Sequence, residues 1–222
     1  TPRVSALVTL VTLTSLIILN HTSPLLRERT FFGVVQVTDT GKARFERSGT
    51  TVHGLQFSDE RRSEPTTYYV KAGPLGEIFD DLRSRTQAAS AGIVGLGIGT
   101  IAAYARRDDQ FTFFEIDPAI IRIAADPRYF TYLQDSAAPS RLVAGDGRLL
   151  LATEPPAAFD LVILDAFTSD VVPAHLLTRE AMTAYLSALR PGGVIAFHVT
   201  SRYYRLIEAV GATARSLGLE AA

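Results

Sequence analysis

The 222-residue chain contains no cysteine. Disulfides, thiolate metal sites and cysteine nucleophiles are therefore excluded. Histidine is scarce: there are four, none in an H-x-x-x-H or H-E-x-x-H pair, so no zinc site is expected. Excess charge is also lacking. A net charge of −1 does not supply the strongly basic face that nucleic-acid binding leaves on a protein, and no nucleic-acid partner is expected. Long uncharged runs are few, and the one at the N-terminus is marginal in length for a membrane span. The uncharged run Val4 to Leu19 has sixteen residues, short of the about 20 that a spanning helix wants. It reads as the end of a membrane segment, with a buried β-hairpin as the alternative because Val, Ile and Thr dominate. A signal peptide fits less well, since no basic n-region precedes it and no small-residue cleavage site follows. If the run spans, Arg27 and Arg29 after it, against Arg3 before it, put the rest of the chain on the cytoplasmic side, tethered to the membrane.

Hydrophobic residues make up 47% of the chain, ample for the core of one sizeable domain with an appendage. The organising stretch is Ala91 to Asp117. An apolar run (Ile93, Val94) feeds Gly95-Leu-Gly97-Ile-Gly99, a helical pattern follows, and a second apolar strand, Phe111 to Ile116, contains Glu115 and stops at Asp117. This is a βαβ unit whose glycine turn lets backbone approach a ligand closely, with Glu115, twenty residues after Gly95, placed to accept from ribose hydroxyls. The G-x-G-x-G spacing resembles the first motif of S-adenosylmethionine-dependent enzymes more than the G-x-G-x-x-G of dinucleotide enzymes. A nicotinamide-dependent oxidoreductase is the weakest reading for that reason.

Further strand and helix patterns alternate. Pro118 to Ala125 and Tyr129 to Gln134 read as helices. Arg141 to Ala144 is a strand ending in Gly145-Asp146-Gly147, and Phe159 to Leu164 is a strand ending on Asp165. An amphipathic helix, Leu176 to Leu189, closes at Arg190-Pro-Gly-Gly193. Val194 to Val199 is a fifth strand and Arg202 to Leu217 a last helix. The expectation is an α/β fold, a Rossmann-like parallel sheet of the S-adenosylmethionine-dependent methyltransferase type. It spans 71–222 and lacks the two strands expected after Gly218. Residues 27–70 precede it as a small antiparallel β-sheet, its strands read between Phe31 and Phe57, and 1–26 form the hydrophobic N-terminal segment. Ligands of such sheets sit outside the carboxyl ends of the strands. Gly95 to Gly99, Glu115, Asp146 and Asp165 all fall there. His53 reads as a packing or surface residue of the small sheet, His198 as a satisfied core histidine inside the fifth strand, and Arg106-Arg107-Asp108-Asp109 as a solvated turn.

GLGIGT, FFEID, VAGDGRLLL, FDLVILDAF and LRPGG, in this order and spacing, resemble the polyamine aminopropyltransferases, the spermidine synthases. From DAFTSD to HVTSRY the chain is similar to a bacterial subgroup in which such a domain follows a membrane domain. The resemblance covers Phe31 to Ala222. It implies aminopropyl transfer from decarboxylated S-adenosylmethionine to a polyamine acceptor such as putrescine, with that donor as co-substrate and no tightly bound cofactor. It assigns Asp165 as base, with Tyr68 or Tyr69 assisting. Gln56, Asp170 and His175 would contact substrate. Gly95, Gly97, Gly99, Glu115, Asp117, Asp146 and Gly147 would hold the nucleoside. The family's glycine turn carries an aspartate for the donor's amine where this chain has Ile98, and its Tyr-His-Glu is missing. Methyl transfer from S-adenosylmethionine and a non-catalytic polyamine- or nucleoside-binding domain therefore stay open, as does a homodimer.

Overall fold

The computed structural model describes residues 24–49, 51–166, 173–200 and 204–220. The expected membrane segment at Val4 to Leu19 lies outside them, and among the described residues no helix is long and apolar enough to cross a membrane. Every residue of β5 (Ser90–Val94) is buried, the condition of a strand covered on both faces. Around it runs a parallel sheet in the order β7-β6-β5-β8-β9, with β6 at Gln110–Glu115, β7 at Ser140–Ala144, β8 at Phe159–Leu164 and β9 at Leu189–Phe197. The chain winds outward from β5 to β7, then returns to the other side of β5 for β8 and β9. That reversal makes a switch point between the carboxyl ends of β5 and β8, where open α/β sheets leave a ligand crevice.

Among the described residues the helices are α1 (Pro74–Arg85), α2 (Pro118–Ala125), α3 (Tyr132–Asp135), α4 (Gly147–Leu151), α5 (Arg179–Ala188) and α6 (Leu206–Ser216). Proline opens α1 and α2, where its missing N–H has no intrahelical partner to lose. Asp117, Asp146 and Thr178 cap α2, α4 and α5 by accepting from the N–H groups of Ala119, Leu149 and Ala181, each satisfying a donor that the helix start would leave orphaned.

The small sheet is an antiparallel meander of β1 (Leu26–Arg29), β2 (Val34–Asp39), β3 (Ala43–Ser48) and β4 (Thr51–Phe57). An apolar cluster of Val35, Val37, Ile98, Ile123, Phe130 and Tyr132 joins it to the α/β unit. Ile98 is fully buried and fills the space over Gly54, where an added Cβ would lie 2.5 Å from its Cγ1. A polar clamp adds to this. The Gln56 amide donates to Arg62 O at 2.9 Å and Thr131 Oγ1 at 3.0 Å and accepts from Thr131 N–H at 2.9 Å. Gln56→Ala removes the hydrogen bonds of a buried amide, and is expected to lower the unfolding free energy by about 1–3 kcal/mol. A urea titration with an unchanged midpoint would remove the clamp from the account.

Four sequence expectations change. The helix after the glycine turn is only a 3-10 turn, Thr100–Tyr104. It stops where Asp109, buried, accepts from Arg106 N–H and Ala89 N–H at 2.8 Å each, so Asp109 is a buried tie rather than part of a solvated turn. β9 begins at Leu189 and takes in Arg190-Pro-Gly-Gly193, because its outer position and a register shift opposite Phe159/Leu161 tolerate a proline without an N–H. The small sheet starts at Leu26 rather than near Phe31. Arg27 and Arg29 alternate outward along β1, a period-2 pattern too short and too charged to recognise from sequence.

Candidate active site

At the switch point β5 turns sharply. Gly95 has φ +98° and donates its N–H to Phe114 O at 2.9 Å. A Cβ on Gly95 would lie 2.2 Å from Asp165 O, so the turn depends on glycine for both conformation and space. A cavity of about 250 Å3 opens here. Its floor is Gly95 to Gly97 with the strand-end acids Glu115, Asp117, Asp146 and Asp165, and its roof comes from the small sheet through Val35, Glu46 and His53.

Glu115 is buried, and each carboxylate oxygen accepts a backbone N–H at 2.9 Å, Oε2 from Leu96 and Oε1 from Asp117. Burial pushes its pKa up, opposed by those two N–H groups. Glu115 also lines the cavity, and an ionised carboxylate has acceptor capacity beyond one bond per oxygen, so it can accept from vicinal hydroxyls. Asp117 lines the cavity while its Oδ1 holds Ala119 N–H. Asp146 caps α4 and meets His175 Nε2 at 3.2 Å. His175 is thereby held beside Asp146 in the cavity lining. At Gly147 a side chain would run into Val94 Cγ1 at 2.4 Å.

Asp165 ends β8 with its side chain only 6% exposed. Its Oδ1 lies 2.6 Å from His198 Nδ1, and the Tyr68 hydroxyl donates to Oδ2 at 3.4 Å. The Tyr68 ring packs on His198 with centroids 4.2 Å apart and on Tyr69 at 4.4 Å. Burial, then the Asp165 charge, drives the Tyr68 phenol far above its ordinary pKa, so it stays a neutral donor. Thr67, just before it, has φ +58°, a region that costs a β-branched residue roughly 1–3 kcal/mol. The strain is local to the segment that delivers Tyr68 over the cleft.

The expected residues thus separate. Gly95, Gly97, Glu115, Asp117, Asp146, Gly147, Asp165, Tyr68, Tyr69 and His175 converge on one cavity. Gln56 does not line it, because its amide is consumed by the clamp to Arg62 and Thr131. Gly99 faces Leu133 and heads the 3-10 turn. Ile98 is packing between sheets. Asp170 lies outside the described residues. His198, read as a core histidine within the fifth strand, sits just past the end of β9 and holds Asp165; the strand-end rule that selected Asp165 would have found it. His53 lines the roof instead of the surface.

Glu46 was not legible at all. It is 2% exposed, and burial together with the Glu115 charge raises its carboxyl from 4.5 to about 8.

No family model matches the chain. It is 28% identical over 165 residues to the polyamine aminopropyltransferase of Vibrio vulnificus (strain CMCP6), covering 71% of this chain and 52% of that protein. The chain thus spans about half the length of that relative. A probable spermidine synthase from Corynebacterium glutamicum superposes with a TM-score of 0.65 at 16% identity, over 78% of this chain and 62% of that one. The chain has the spermidine synthase fold. The spermidine synthase of Thermotoga maritima extends the likeness to 88% of this chain and 63% of its own, with a TM-score of 0.59 at 14% identity. In the present chain that fold carries its strand-end acids on the parallel sheet and Glu46 and His53 on the small one.

Proposed function

We propose that the cleft transfers an aminopropyl group from decarboxylated S-adenosylmethionine to a diamine such as putrescine, giving spermidine and methylthioadenosine. The observation that carries the reading is the Asp165 carboxylate, held by His198 and Tyr68 in the cavity that Glu115 also lines. The reaction is a displacement. The amine lone pair attacks the propyl CH2 bound to the sulfonium, the S–C bond breaks, and its electron pair leaves neutral methylthioadenosine. An alkylamine with a pKa near 10 is almost wholly protonated at neutral pH, so a carboxylate that takes its proton supplies the nucleophile. Glu115 receives the ribose hydroxyls, and Asp146 the adenine amino group. The relative in Vibrio vulnificus, whose name is that of a polyamine aminopropyltransferase, supports the same reaction.

One observation favours a second reading. Ile98 gives the glycine turn no carboxylate for a donor amine, which suits methyl transfer from S-adenosylmethionine. Incubation with decarboxylated S-adenosylmethionine and putrescine, followed by mass spectrometry, separates the two. Spermidine and methylthioadenosine are expected. S-adenosylhomocysteine formed only from intact S-adenosylmethionine would replace the proposal with the second reading, and no product from either donor would leave a binding domain. Glu115→Gln is expected to weaken methylthioadenosine binding by about 1–3 kcal/mol, measured by calorimetry. An unchanged dissociation constant would exclude Glu115 from the ribose. The proposal extends to a cytoplasmic domain tethered through Val4 to Leu19, which the flanking Arg27 and Arg29 support.

A further inference from the structure

Among the described residues the buried acids have hydrogen-bond partners, with one exception. Glu115 accepts from Leu96 and Asp117 N–H, Asp117 from Ala119, and Asp109 from Ala89 and Arg106. Glu46 sits in mid-strand on β3, across from Val37 of β2 and Gly54 of β4, and lines the roof of the cavity. Its Oε1 is buried and accepts no hydrogen bond. The charged neighbours that act on it are of its own sign: Glu115 raises it, and its own charge in turn is felt by the Tyr68 phenol. The cation nearest along the strand face, Arg44, is committed to Asp39 at 3.0 Å and Tyr129 O at 3.2 Å. A structural role would leave Glu46 satisfied, since an unpaired buried polar group is costly.

We propose that Glu46 is the anchor for an alkylammonium group of the bound ligand, held from the small sheet beneath the aromatic wall of Tyr68 and Tyr69. An ammonium carries three donors and no acceptor, so it answers an open carboxylate oxygen. Tyr68 and Tyr69 line the same cavity, and an aromatic face close to an ammonium adds cation–π attraction. The two sheets would then divide the ligand, with the strand ends taking the nucleoside and β3 the charged amine. This deepens the aminopropyl-transfer reading and rests on it. The ammonium can come from the donor's propylamine or from the acceptor, and the two are told apart by test.

The experiment is calorimetry on the wild-type chain and Glu46→Gln, which keeps the volume but cannot become the carboxylate that an ammonium would pair with. Three probes are used: decarboxylated S-adenosylmethionine, methylthioadenosine, and putrescine added to the methylthioadenosine complex. A loss of about tenfold or more is expected for one amine-bearing probe, the scale of a hydrogen bond to a charged group, while methylthioadenosine changes by less than about twofold. Loss on the decarboxylated donor assigns its propylamine to Glu46, and loss on putrescine assigns the acceptor. Amine-bearing probes unaffected, or methylthioadenosine falling in step with them, would overturn the anchor while leaving the transfer reading standing. Wild-type chain that binds none of the three would overturn both.

Discussion

Asp165→Asn is expected to reduce turnover by about 10²- to 10⁴-fold, the range lost when a positioned base is removed, with methylthioadenosine affinity nearly unchanged. The amide keeps the shape of the carboxylate and can still meet His198 Nδ1 and the Tyr68 hydroxyl, so the geometry that these partners impose survives. What it cannot do is take the proton of an alkylammonium. The proposed nucleoside contacts, Glu115 and Asp146, follow other strands, so the affinity should not fall with turnover. The comparison needs two numbers from one preparation: the rate of methylthioadenosine release and its dissociation constant. Parallel loss of both would make Asp165 a scaffold residue of the switch point and remove the base from the mechanism.

Gly95→Ala is expected to be strongly damaging. The new Cβ would stand 2.2 Å from Asp165 O, a backbone atom that has no rotamer by which to move away, at a residue whose φ is +98°. Left-handed backbone and forced overpacking each cost roughly 1–3 kcal/mol, so a loss of about 2–6 kcal/mol in unfolding free energy is anticipated, together with displacement of the base. Gly41→Ala separates the two contributions. Gly41 has φ +79° but nothing within 4 Å of its added Cβ, so it reports backbone strain alone. Denaturation midpoints that fall equally in the two variants would show that the approach of β5 to β8 is not tight.

The sequence is most legible where one physical demand dominates. The central strands are apolar on both faces, so β5, β6 and β8 stand out as runs, and the rule that α/β ligands gather at strand ends then selects Glu115, Asp146 and Asp165 together. Where two demands compete, the reading fails. Arg190-Pro-Gly-Gly193 has loop chemistry but is held as strand at the sheet's outer position, with Arg190 paired to Asp160 at 2.6 Å. Gln56 has the polarity of a ligand contact, and only the fold reveals that both ends of its amide are engaged. Glu46 is hidden for a different reason. In a short antiparallel strand a charged residue reads as the solvent face, and the inward placement of Arg44, Glu46 and Ser48 depends on a second sheet covering them, which no local pattern records.

Gly54 lies in the small sheet and Ile98 in the turn after β5, and they crowd one space, so neither can change size alone. Among relatives of this chain a larger residue at position 54 should accompany a smaller one at 98, and a bulky apolar residue at 98 should accompany glycine at 54. The two positions are expected to covary although they lie 44 residues apart. A chimera that takes its small sheet from one such protein and its parallel sheet from another would inherit a mismatch at this point, even with every ligand-facing residue preserved.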